Sequence, residues 1–312
     1  MMTGFDTLLG VVVLAGAAAA LYAGRRVVAI MSFLVLGLLL MLLWARLGAP
    51  DIAIAEAAIA SGVTGALLLA AATEHSEPAS RGSSGRARLT LAALEGGIAL
   101  TTLVLVGWVA VVAARTVPSE PLQFQAGEAL SDAVVEHPIT AVLLDFRAYD
   151  TLLEIAVLAA AVVAALSLLT DSTLRSVEWT RETSPVVIGF AKVVAPIVVM
   201  LAGWILVAGS TQPGGAFQAG AVLTGGLLLL YLSGQTRAMI TGRWAVPAAL
   251  AGLALFIAAG AATFAAGREW LDFAQGWGGS VVVVIEGALA ISIGAGLAAL
   301  FIAGGPERRR GD

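Results

Sequence analysis

Five acidic side chains interrupt runs otherwise made of Ala, Val, Leu, Ile and Gly. They are Asp51 and Glu56 in APDIAIAEAAIASG, Glu95 in LEGG, Glu154 in TLLE and Glu286 in VVVVIEGA. Lys192, the only lysine, sits in a further apolar run between Pro185 and Pro196. A charge inside such a run is costly, and its default chemistry is to bind or hand on protons or cations.

Each of these residues also has a purely structural reading. Glu56 shares a helical face with Ile52, Ile59 and Val63, beside a stripe of small residues, Ala53, Ala57, Ala60 and Thr64, that lets another helix approach closely. It is either a relay or a protonated packing group. Asp51 follows Pro50 in a first helical turn, where the helix dipole alone favours an acid. Glu95 and Glu286 are each followed by glycine, which leaves room for a neighbouring helix or water; Glu95 also lies near enough to a span end to reach the interface. Thr151 to Glu154 fits a capping box, with Asp150 four residues away on the same face as Glu154. Lys192 needs a carboxylate partner, with Glu95 the first choice, or must reach the interface. GSTQPGGAFQAG, around Pro213, Gly214 and Gly215, reads as a tight hairpin or as a partly re-entrant turn lining a cavity.

These residues need a frame, and composition fixes its kind. The chain is 59% hydrophobic and only 12% charged, about half the charge of a soluble domain, with mean hydropathy +0.96. An all-α integral membrane protein is expected. With no cysteine, iron-sulfur ligation, thiolate zinc sites and disulfides are excluded. The two histidines, His75 and His137, lie in polar connections, which removes paired-histidine haem ligation within the spans. No cofactor or metal site is expected, and the net charge of -4 argues against nucleic acid.

A helix crossing the hydrocarbon core needs about 20 apolar residues. That ruler predicts about nine spans, near 5–23, 27–45, 51–73, 90–113, 151–170, 185–208, 215–235, 245–266 and 280–303. With the N-terminus outside, twelve arginines fall in inner segments and four in outer loops, so the expected topology is N-out and C-in. The Gly/Ser/Arg-rich stretch from Thr73 to Arg88 reads as an inner linker. An outer connection from Arg115 to Asp150 contains the amphipathic run ITAVLLDFRAYD, either a helix along the membrane surface or a buried loop. Three modules result, at 1–75, 76–175 and 176–312.

Three segments resemble known membrane modules in family order. APDIAIAEAAIASG resembles the MbhD module, LLDFRAYDTLLEI the MbhE module, and SPVVIGFAKVVAPIVVMLAGWILVAGSTQPGGAFQAG the B subunit of Mrp-type multisubunit cation/proton antiporters, MnhB or MrpB. The resemblance implies a non-enzymatic subunit of a Na+/H+ antiporter complex in a bacterial or archaeal cell membrane. Its implied partners are large A/D-type and small C, E, F and G-type subunits. It also implies that Asp51 and Glu56, together with Asp145, Asp150 and Glu154 of the MbhE-like signature, belong to an ion or proton path. The chain departs from the family pattern at Ala55, Ala148, Leu153, Ser210 and Ala216, which removes polar groups near that path and bears on sodium use more than on membership. Two other roles fit the same residues: a membrane-arm subunit of an ion-pumping hydrogenase or complex I-like machine, and a structural spacer. A single lysine is too few for the buried lysine and histidine chain of a complete proton pump, so larger partners are expected.

Overall fold

The computed structural model describes residues 3–65, 67–68, 85–115, 122–168, 184–235, 244–273 and 276–303. Among them the chain is helical, without strands. Six helices are long and apolar enough to span a bilayer: Gly4–Tyr22, Arg26–Arg46, Ala148–Ser167, Pro185–Ala208, Ala245–Ala265 and Gly278–Ala303. Shorter apolar helices cover Leu100–Ala113 and Ala216–Leu232. This is a multi-pass α-helical membrane protein.

Two compact units form, one from 1–75 with 133–312, the other from 76–132. In the first, α1 (Gly4–Tyr22) and α2 (Arg26–Arg46) make a hairpin. Thr3 caps α1 in a capping box with Asp6, and Asp6 also receives the Arg46 guanidinium at 2.6 Å, tying the start of α1 to the end of α2. Helix α3 (Pro50–Glu56) starts on a proline, whose missing N–H costs nothing in a first turn, and continues as a π-helix over Ala57–Thr64. Small residues let this element press against α2: a Cβ on Gly65 would overlap the Leu34 side chain.

A short helix α6 (Pro138–Ala141) and a π-turn (Val142–Phe146) lead into α7 (Ala148–Leu168). Helices α8 (Pro185–Ala208), α9 (Ala216–Leu232), α10 (Ala245–Ala265) and α11 (Gly278–Ala303) complete the unit. Helix α11 is its axis, with α7, α8, α9 and α10 packed on it and Val282, Ile285, Leu289 and Ile293 fully buried. Its neighbours come close because they carry glycine. Gly220 of α9 faces Ile293, and Gly252 of α10 faces Ser292, whose hydroxyl donates to the Ala249 carbonyl. Hydroxyls finding backbone carbonyls in this way satisfy polar groups where water is absent.

The second unit holds α4 (Gly85–Arg115) and α5 (Leu122–Ala129), the latter ending in a 3-10 turn over Leu130–Asp132. Leu100, Leu103, Val104, Leu105 and Trp108 on α4 are all exposed.

Observed helix ends fall within a few residues of the expected spans, with instructive differences. Gly85 to Arg88, read as linker, is the first turn of α4, while residues 69–84 lie outside the described part. Helix α7 starts at Ala148, so Thr151 is not its cap; its hydroxyl instead donates to the Leu143 carbonyl at 2.6 Å, and the capping box, one of the two readings of Glu154, does not form. The run ITAVLLDFRAYD is helical, with Thr140, Ala141, Leu144 and Ala148 buried.

Candidate functional site

The turn between α8 and α9 organises the site. The Gly209 and Gly215 N–H groups both donate to the Ile205 carbonyl, which folds Gly209 to Gly215 back over the end of α8. Gly214 and Gly215 adopt φ of +157° and +115°. A Cβ on Gly214 would overlap the Ile205 carbonyl oxygen, so only glycine fits.

Buried backbone N–H groups at such a turn need acceptors. Two carboxylates supply them. The Gly214 N–H donates to Asp51 Oδ1 at 2.9 Å, and the Ala216 N–H donates to Glu286 Oε1 at 3.3 Å. Gln218, on the first turn of α9, donates through Nε2 to the Asp51 carbonyl at 3.3 Å, clamping α3 to α9. Asp51 and Glu286 are both buried, at 7% and 3% exposure, and the second oxygen of Glu286 has no hydrogen-bond partner among the described residues.

His137 completes the arrangement. Its Nε2 lies 3.2 Å from Asp51 Oδ2 and 3.4 Å from Oδ1. The segment carrying it is pinned to the same turn: the Glu136 and His137 N–H groups donate to the Ser210 carbonyl at 3.2 and 3.0 Å, and the Thr140 hydroxyl donates to the Gly209 carbonyl at 2.5 Å. Pro138 at the start of α6 fixes the direction in which the chain leaves His137.

Asp51, Thr140, Thr151, Glu154, Gln218 and Glu286 line one cavity of about 270 Å³, together with Gly214, Gly215 and an apolar wall from Leu143, Ile155 and Leu289. That volume admits several waters. Three acidic groups, Asp51, Glu154 and Glu286, face this one space, and among the described residues no lysine or arginine lines it.

Three of the acids singled out in the sequence, Asp51, Glu154 and Glu286, therefore meet here with Gly214 and Gly215. Pro213 sits half-buried at the head of the turn. The others lie elsewhere. Glu56 is half-buried, does not line the cavity and has no side-chain partner among the described residues. Asp145 accepts the Val134 N–H at 3.0 Å, and Asp150 is an exposed ion pair with Arg147 at 2.5 Å. Lys192 is exposed on α8, and the Glu95 side chain expected to face it is outside the described part. Among the described residues no cluster of three or more His or acidic groups is arranged to hold a metal ion.

His137 and Gln218 are absent from the sequence expectations. One signal for His137 was available. A buried Asp51 needs a donor, and a chain with one lysine and two histidines offers few side chains to supply it.

Residues 11–77 match the family model of MbhD, a component of MBH, and residues 186–304 match the "Domain related to MnhB subunit of Na+/H+ antiporter". A comparison with curated proteins returns no match. Among solved structures, the chain is similar over its full length to one chain of the "Structure of Mrp complex from Dietzia sp. DQ12-45-1b", with a TM-score of 0.75 and 21% identity, and that likeness shows a shared fold. It spans 36% of the length of the Mrp-complex chain it matches. A stretch that matches the MbhD model and one that matches the MnhB-related model thus lie on one polypeptide.

Proposed function

We propose that this fusion of MbhD and MnhB-related domains is a membrane subunit of an Mrp-type Na+/H+ antiporter complex, a transporter component and not an enzyme. The single observation that carries the reading is that both matched domains contribute a buried carboxylate to one cavity. Asp51 lies in the MbhD domain and Glu286 in the MnhB-related domain, and the α8–α9 turn bonds to both.

In this reading the cavity is a segment of a proton path. Asp51, Glu286 and Glu154 take and release protons across water in the cavity, while the turn's N–H groups hold one oxygen of Asp51 and one of Glu286 in place. Binding of the counter-transported cation is a property of the whole complex. The likeness to one chain of an Mrp complex supports other subunits of such a complex as partners, and large antiporter-like subunits with small C, E, F and G-type subunits are the proposed ones. The proposed setting is a bacterial or archaeal cell membrane, and the arginine distribution favours an N-terminus on the outside.

The test is cation-driven discharge of an imposed pH gradient in inside-out vesicles from antiporter-deficient cells that express the complete complex. Omitting this chain should abolish discharge. Full discharge without it would overturn the reading.

A further inference from the structure

We infer that His137 is the residue through which protons pass between the outer connection and the cavity, with Asp51 as its immediate exchange partner. The inference rests on the proposed proton path and adds to it an entry point and an order.

The geometry is that of a relay with one member behind the next. Asp51 lines the cavity, whereas His137 does not. The imidazole is within hydrogen-bonding reach of that carboxylate, with Nε2 3.2 Å from Oδ2. His137 is buried as a residue, yet its side chain keeps 11% exposure, and the next residue back, Glu136, is exposed. The ring therefore joins an exposed segment to a buried acid. Imidazole ordinarily changes charge near neutral pH and has two nitrogens, so it accepts a proton on one and releases one from the other. With Nε2 as the donor to Asp51, uptake is at Nδ1. The Nε2 proton passes to the Asp51 carboxylate, and the ring then returns its remaining proton to Nε2 by turning or by tautomer exchange. One proton enters and one leaves.

The backbone explains how the ring can do this without losing its place. The His137 segment is anchored by main-chain bonds to the Ser210 carbonyl and by Thr140 on the Gly209 carbonyl, none of which uses the imidazole. Among the described residues Asp51 is the one titratable side chain within hydrogen-bond distance of the ring. Glu136 is exposed, Asp145 is held by the Val134 N–H, and Glu154 and Glu286 line the cavity that Asp51 enters. Glu286, with one oxygen unpartnered among the described residues, is the next acceptor after Asp51.

The experiment uses the complete complex in inside-out vesicles with four variants, H137Q, H137A, D51N and E286Q. H137Q keeps a donor toward Asp51 but cannot carry a proton. It should assemble normally and lower the maximal exchange rate by on the order of tenfold or more, with the apparent affinity for sodium unchanged. Imidazole added to H137A vesicles should restore part of the rate, which a merely structural role would not allow. Wild-type exchange in H137Q across the range where imidazole titrates would overturn the relay, as would failure of both His137 variants to assemble, since that marks a structural pair. If D51N and E286Q abolish exchange while H137Q does not, the cavity reading stands and the relay falls. If D51N and E286Q exchange normally, the cavity reading itself falls.

Discussion

Asp51 and Glu286, from opposite ends of the chain, accept hydrogen bonds from the same turn, Gly214 donating to the first at 2.9 Å and Ala216 to the second at 3.3 Å. The turn is satisfied only when α3 and α11 are both in place, and each acid is held only when the turn is formed. Formation of the cavity therefore requires both segments to pack on the turn.

Glycine at 214 is required for that event. In G214A the new Cβ would overlap the Ile205 carbonyl, at a φ that costs a side chain about 1–3 kcal/mol before any overlap. Lower thermal stability and loss of exchange are expected. G203A and G225A are the controls, because a Cβ at either position meets nothing within 4 Å, and their melting should be indistinguishable from that of the parent.

Truncation and isosteric replacement at Glu286 should separate. E286Q keeps an oxygen for the Ala216 N–H and should assemble near normally. E286A leaves that N–H without its acceptor, costing about 1–3 kcal/mol. Detergent melting curves of the purified complex read the difference; equal losses in the two variants would mean that the hydrogen bond contributes nothing.

Removal of the Asp51 side chain should be worse than its neutralisation. D51A strips the Gly214 N–H and His137 of their common acceptor, and a buried donor left unsatisfied costs about 1–3 kcal/mol. D51N retains an oxygen and should melt closer to the parent. The comparison is made on matched preparations by thermal shift.

Glu56 and Asp51 share one helical stretch but should not share a phenotype. Glu56 lies outside the cavity lining, so E56Q should retain exchange under conditions in which D51N loses it. A vesicle assay with the two variants side by side decides the point.

Much of this was legible in the sequence. Hydrophobic length is a direct consequence of bilayer thickness, so α1, α2, α8 and α10 lie within two residues of the spans expected for them. Glu286 was visible as an acid behind five branched apolar residues, and Gly214 with Gly215 as irregular backbone needing cover. What periodicity could not show was pairing between distant segments. His137 lies in a connection with no repeat to place it, and it meets Asp51 where the Glu136 and His137 N–H groups and the Thr140 hydroxyl pin that connection to the turn. Pattern alone also put Glu56 ahead of Asp51. An acid in the first turn of a helix has a ready dipole explanation, whereas one deeper inside has none, yet it is the first that accepts the Gly214 N–H of the turn. Of the two readings of Glu154, the capping box fails locally: the π-turn before α7 offers Thr151 the Leu143 carbonyl, so the motif is left without a helix start.

The most direct measurement is sodium-driven proton exchange by the complete complex carrying D51N and E286Q together, in inside-out vesicles matched for assembled complex. Loss of exchange with assembly intact is the predicted result. Exchange at the parent rate would contradict the account, because no proton could then be passing through the two carboxylates that the α8–α9 turn holds.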